Sequence, residues 1–70
     1  MNYEIKETET ILENNKVVVY GIVCKSANMR IDDVSLNRKL VEKIVEKLNS
    51  YDVNEIHFFD VVIDELISNY

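Results

Sequence analysis

Three side chains near the C-terminus have the residue types and the spacing of a metal site. His57, Asp60 and Asp64 stand at positions i, i+3 and i+7, so on one α-helix they fall within an arc of about 60°. An imidazole and two carboxylates on one helix face suit a divalent cation. The same grouping also arises on a solvated acidic helix face, and metal sites usually draw ligands from several elements. We therefore predict no metal and no other cofactor, with these three residues as the candidates to examine.

The single cysteine is the other residue with intrinsic reactivity. Cys24 would be a nucleophile only beside a base or a charge that lowers the pKa of its thiol. It ends the apolar segment Val17–Cys24, which indicates a small buried residue instead. The sequence contains no glycine-rich phosphate loop, paired-cysteine metal motif or serine-nucleophile motif. We predict that the protein is not an enzyme.

Negative charge beside apolar side chains is the remaining candidate for function. Residues 51–70 contain five acidic residues and no Lys or Arg, in a chain of net charge −5. This charge disfavours nucleic acid, because phosphate contacts need basic side chains, and it favours a protein partner with a basic surface. On a helical wheel Phe58 lies at the edge of the apolar face and Val61 lies inside the acidic face. In the alternative interpretation Phe58 only packs on Val53, and Val61 is an ordinary exposed valine. The predicted interaction surface is Phe58, Asp60, Val61, Asp64 and Glu65.

A β-hairpin is predicted for the first third of the chain. Residues 3–12 mix β-branched and charged side chains, as an edge strand does, and Asn14-Asn15 is expected to close the turn. With that turn, Ile11 faces Val18. The return strand Val17–Cys24 is apolar on both faces, so the side away from the helices needs a second cover. We therefore predict a homodimer. Gly21 in mid-strand indicates a bulge or a close backbone contact.

Two helices are predicted to follow, after a possible short strand at Met29–Ile31. Ser35 is expected to cap the first helix and Asn54 the second. The predicted core-facing positions of the first helix are Leu36, Leu40, Val41, Ile44, Val45 and Leu48. Those of the second helix are Ile56, Phe59, Ile63, Leu66, Ile67 and Tyr70, with Val62 beside them. The fold class is α+β, in the order β-β-(β)-α-α, with residues 1–70 as one small domain.

The composition and the apolar runs of the sequence indicate the cellular compartment of this domain. The chain has 70 residues, 47% of them apolar, with one cysteine. No apolar run approaches the ~20 residues that a membrane span needs, and the N-terminus lacks the apolar segment of a signal peptide. We expect a cytoplasmic protein with no membrane partner, and the single thiol agrees with that compartment.

Three short segments carry a family resemblance: Tyr20-Gly21-Ile22, Asp33-Val34-Ser35, and the segment from His57 to Leu66. Together they resemble a family of small clostridial proteins of unknown function, whose chains end in a His…Asp-Val-Ile-(Glu/Asp)-Asp…Leu helix. The likeness spans about residues 17–66, and Asp64-Glu65 stands where the family has its acidic pair. The resemblance implies a bacterial cytoplasmic origin. It carries no activity, cofactor or site.

These observations favour a small, non-enzymatic, cytoplasmic accessory protein of a bacterium or phage that binds or regulates another protein. One alternative is a metal-responsive module that uses His57, Asp60 and Asp64. Another is an acidic nucleic-acid mimic of phage origin that inhibits a nuclease. Such a mimic needs carboxylates spaced like phosphates across several elements.

Overall fold

Three antiparallel strands followed by two helices make up the computed structural model, which describes residues 2–68. The sheet has the order β1-β2-β3, with β2 in the centre. The elements are β1 (Tyr3–Leu12), β2 (Asn15–Cys24), β3 (Met29–Ser35), α1 (Arg38–Ser50), a 3₁₀ turn (Glu55–His57) and α2 (Phe58–Ser68). The predicted α+β class and element order are confirmed. Within residues 2–68, none of the helices has the length and apolar character that crossing a membrane requires.

The hairpin turn lies one residue earlier than predicted. Glu13 and Asn14 have φ angles of 51° and 66°, and positive φ at both central residues is what the tightest hairpin turns need. Ile11 consequently pairs with Lys16, not with Val18. This register differs from the predicted one by two residues. Because side chains alternate with a period of two, each residue still faces the predicted side of the sheet.

The predicted irregularity at Gly21 is present where β3 passes β2. Ile22 pairs with Ile31, but Tyr20 pairs with Ser35, so β3 contains extra residues between the two pairs. A Cβ atom on Gly21 would lie 2.2 Å from the carbonyl oxygen of Ile31. Only glycine leaves room for this bulge of β3.

Helix α1 begins two residues later than the predicted Ser35 cap implies. The side-chain oxygen of Asn37 accepts a hydrogen bond from the backbone N–H of Leu40 at 3.2 Å, so Asn37 is the cap. Ser35 ends β3, and its hydroxyl accepts from the N–H of Asn37 at 3.0 Å. Leu36 therefore lies in the connection and is 55% exposed, not part of the helix face. Among the other residues predicted to face the core from α1, Val41, Ile44 and Leu48 are buried. For these three the prediction is confirmed.

The core lies between one face of the sheet and the two helices. The sheet contributes Tyr3, Ile22 and Cys24, and the helices contribute Val41, Ile44, Leu48, Phe58 and Val62. Helix α1 contacts all three strands and α2. Both helices thus cover the same side of the sheet, and among the described residues no element covers its opposite face.

Candidate interaction surface on helix α2

The start of α2 is fixed by a cap and by an aromatic contact. As predicted, Asn54 is the cap, and its side-chain oxygen accepts from the N–H of Ile56 at 3.1 Å. The 3₁₀ turn then leads into α2 at Phe58. The Phe58 ring lies 5.1 Å from the Tyr3 ring, centroid to centroid. This contact orients α2 so that the side of the helix that carries Phe58 faces the core.

Phe58 and Val61 are therefore not the exposed apolar side chains that the predicted surface needed. Phe58 is 0% exposed. Val61 is half-buried and packs against the core. The prediction that they extend an exposed apolar surface is wrong. The burial of Phe58 agrees with the packing interpretation, and Val53 packs against the core cluster that contains Phe58. The other half of that interpretation, an exposed Val61, is wrong.

A different row of apolar side chains on α2 faces solvent. Phe59, Ile63 and Ile67 are 44%, 51% and 65% exposed, and Ile56 in the preceding 3₁₀ turn is 74% exposed. We call Phe59, Ile63 and Ile67 the α2 stripe, because positions i, i+4 and i+8 lie along one side of a helix. The prediction that these residues face the core is wrong. Tyr70, predicted for the same face, lies outside the described residues.

The sequence alone could not choose between two equivalent rows. Phe58, Val62 and Leu66 have the same i, i+4, i+8 spacing as the α2 stripe, and both rows are wholly apolar. Either row could pack on a core by periodicity alone. The choice depends on Tyr3, which lies 55 positions earlier in the chain. The presence of two apolar rows on α2 does indicate that one of them is exposed, although it does not indicate which one.

Acidic side chains form a second row beside the stripe. Asp60 and Asp64 are both exposed, and each follows a stripe residue, so the two rows run side by side along α2. Glu65 has another role, because its carboxylate accepts a hydrogen bond from the Lys47 ammonium and joins α2 to α1. That hydrogen bond and the charge of Glu65 raise the pKa of Lys47. The acidic surface available to a partner thus lies at Asp60 and Asp64.

The candidate metal ligands are not brought together. His57 is exposed in the 3₁₀ turn, whereas Asp60 and Asp64 lie on α2. Within residues 2–68 no group of three or more His, Cys, Asp or Glu side chains is arranged to hold a metal ion. The helical projection that grouped the three residues assumed one regular α-helix from residue 57 onward.

Cys24 is buried, as its apolar segment predicts. Its side chain is 0% exposed, and its sulfur lies 3.5 Å from the hydroxyl oxygen of Ser26. The neighbouring Tyr3 has a pKa raised to about 12, first because burial disfavours its phenolate and second because of Cys24. Cys24 is thus part of the packed core, in contact with a phenol that stays protonated at neutral pH.

Comparison with known proteins gives a family and no function. The model of a family of unknown function (DUF6514) matches residues 1–69. No curated protein and no solved structure matches the chain. This match confirms that the chain resembles a family of unknown function. The clostridial origin and the terminal motif stay predictions.

Proposed function

The chain belongs to this family of unknown function (DUF6514), and we propose that it is a small accessory protein that binds another protein through helix α2 and performs no catalysis itself. The observation that carries the proposal is the exposed α2 stripe of Phe59, Ile63 and Ile67. We propose a bacterial or phage protein of the cytoplasm, where a single thiol stays reduced.

The apolar area of the stripe supports a binding role. Fully burying a large apolar side chain stabilises a complex by about 1.5–3 kcal/mol relative to leaving it exposed. Three such side chains aligned over two helical turns fit the mode in which a helix packs into an apolar groove or against another helix. Exposed apolar side chains that lie together, as in this row, are typical of protein-interaction sites.

The acidic row supports a basic partner. Asp60 and Asp64 flank the stripe, and residues 51–70 contain no Lys or Arg to offset them. Opposite charges at the rim of an apolar contact accelerate association and reject partners of the wrong charge. We therefore propose an amphipathic helix with Lys or Arg beside its apolar face as the partner element.

A protein partner is favoured over the nucleic-acid mimic. Within residues 2–68, four carboxylates outside α2 take part in ion pairs, namely Glu7, Asp32, Glu4 with Lys25 at 3.1 Å and Glu42 with Arg38 at 2.7 Å. Their charge is largely offset locally, whereas a phosphate mimic needs negative charge spread over several elements. The exposed row of Asp60 and Asp64 belongs to one helix and lies beside apolar side chains.

A designed peptide tests the proposal. The probe is an amphipathic helical peptide with leucines at i, i+3, i+4 and i+7 and lysines on its other face, and fluorescence anisotropy measures its binding. We expect the double variant Ile63→Ala with Ile67→Ala to bind at least about tenfold more weakly than the unaltered protein, a loss of about 1.4 kcal/mol. A peptide with glutamates in place of the lysines should bind more weakly still.

The matched control changes two exposed apolar residues elsewhere. Val18 on β2 and Tyr51 after α1 are exposed and lie outside both the α2 stripe and the groove near the hairpin tip, and replacing both by alanine should leave peptide binding unchanged. Equal losses in the two double variants, or equal binding of the lysine and glutamate peptides, would overturn the proposal.

A further inference from the structure

The face of the sheet opposite the helices contains a second apolar region. Side chains alternate along β2, so Val17, Val19 and Val23 face away from Ile22 and Cys24, which lie in the core. Among them Val19 is buried, and Val17 and Val23 are half-buried. The part of the chain that the structure describes places no helix over them. This face is called the open face below.

A groove of about 320 Å³ crosses the open face near the hairpin tip. Val17 and Val19 lie among its lining residues. Leu12 from β1 also lines it, as do Asp33 and Leu36 from the β3 bulge and the connection after it. Leu12 and Leu36 are themselves more than half exposed. The groove therefore has a buried apolar floor and protruding apolar side chains beside it.

The charges on the open face are balanced within the face. Asp32 pairs with Lys6 at 3.3 Å and with Arg30 at 3.2 Å, and Glu4 pairs with Lys25 at 3.1 Å. Asp33, which lines the groove, is the third acidic residue beside these three basic ones. A surface with balanced charges does not select a partner of opposite sign. It can meet an identical surface without net repulsion. Helix α2 differs, because two acidic rows would repel each other.

We infer that a second copy of this chain covers the open face. In a two-fold pair each copy presents the same patch, so the Leu12 and Leu36 side chains of one copy can enter the groove of the other. Pairing of this kind buries apolar residues from both sheets, as the two layers of a β-sandwich do. It leaves both α2 stripes on the outer surfaces, where each can bind a partner.

Sedimentation equilibrium over micromolar to millimolar concentrations tests the inference. We expect the unaltered protein to sediment as a dimer. The double variant Leu12→Glu with Leu36→Glu should raise the dimer dissociation constant at least tenfold, because it places like charges on both sides of the interface. Both positions are exposed, so circular dichroism should show an unchanged fold.

The control variant is Ile67→Glu on the α2 stripe, which should leave the dimer dissociation constant unchanged. A monomeric unaltered protein at millimolar concentration would overturn the inference. So would a dimer that Ile67→Glu dissociates as strongly as the open-face variant does. Neither result depends on the peptide binding proposed for α2, so the two proposals fail separately.

Discussion

Tyr3 connects the sheet to the helical layer through its ring, its hydroxyl and its backbone. The hydroxyl donates to the carbonyl oxygen of Val53 at 2.6 Å. The side chain of Asn49 accepts from the Tyr3 N–H at 2.9 Å and donates to the Tyr3 carbonyl at 3.0 Å. These bonds attach the first residue of β1 to the end of α1 and to the connection before α2. Because the Tyr3 ring is buried and contacts the Phe58 ring, it fixes the position of Phe58.

Replacing Tyr3 by phenylalanine should lower the free energy of unfolding at pH 8 by about 1–2 kcal/mol, because the Val53 carbonyl loses a buried donor. Urea unfolding measures this difference. The ring contact with Phe58 remains, so the far-ultraviolet circular dichroism should not change. An unchanged free energy of unfolding would contradict the hydrogen bond.

The stability difference between this variant and the unaltered protein should depend on alkaline pH. The pKa of Tyr3 is raised from 10.0 to about 12, so below pH 10 the phenol is protonated in both the folded and the unfolded chain. Between pH 10 and 12 the unfolded chain ionises first, and the folded state loses stability. Urea unfolding at a series of pH values should show the advantage over Tyr3→Phe shrinking across this window. An advantage that grows with pH would contradict the burial of the phenol.

Replacing Asn49 by alanine removes both hydrogen bonds to the Tyr3 backbone. We expect the free energy of unfolding to fall by about 2 kcal/mol, since each net bond contributes about 1 kcal/mol. Replacing the exposed neighbour Ser50 by alanine should change it by less than about 0.5 kcal/mol. Equal effects of the two substitutions in urea unfolding would show that the Asn49 side chain does not connect the layers.

The sequence does not reveal these residue-level roles. Tyr3 is one of four tyrosines, and its position in a strand of mixed polarity suggested only an edge. Asn49 lies near the end of α1, where no local pattern marks it as a partner of a strand. Contacts between residues 46 positions apart leave no local pattern, so only the folded chain identifies them. The burial of Cys24 was predictable because its own segment is apolar.

At the scale of elements, local sequence patterns predicted the types and the order of the helices and strands better than their ends and their buried faces. The Asn54 cap and the close approach at Gly21 follow from the residues present there. The hairpin register was missed because both Asn14-Asn15 and Glu13-Asn14 contain a residue that tolerates positive φ. The orientation of α2 was missed because two of its rows are apolar, and local periodicity cannot rank them.

Replacing Gly21 by alanine tests the bulge between β2 and β3. The added Cβ would meet the backbone oxygens of Ile31 at 2.2 Å and Asp32 at 2.6 Å, so a strand has to move. We expect the free energy of unfolding to fall by about 3 kcal/mol, at the upper end of overpacking effects. Thermal unfolding monitored by circular dichroism measures it. A loss below about 0.5 kcal/mol would show that β3 does not lie against Gly21.

At the scale of the whole molecule, the two proposed surfaces lie on opposite sides of the sheet. The helices cover one side, with the α2 stripe outward, and the open face forms the other. Pairing through the open face would produce a particle with two α2 stripes. Linked binding sites raise the apparent affinity for a partner that also carries two sites. In the proposed arrangement, self-association and partner binding use different surfaces of the chain.

The orientation of α2 is the central claim, because the α2 stripe exists only if Phe58 and Val62 face the core. The most direct test is the free energy of unfolding of two neighbouring variants, Val62→Ala and Ile63→Ala, measured by urea unfolding at a concentration where the protein is in a single oligomeric state. Val62 is 1% exposed and Ile63 is 51% exposed. We expect Val62→Ala to lower the free energy of unfolding by about 2 kcal/mol and Ile63→Ala to change it by less than about 0.5 kcal/mol. A loss at Ile63 equal to or larger than the loss at Val62 would contradict the account.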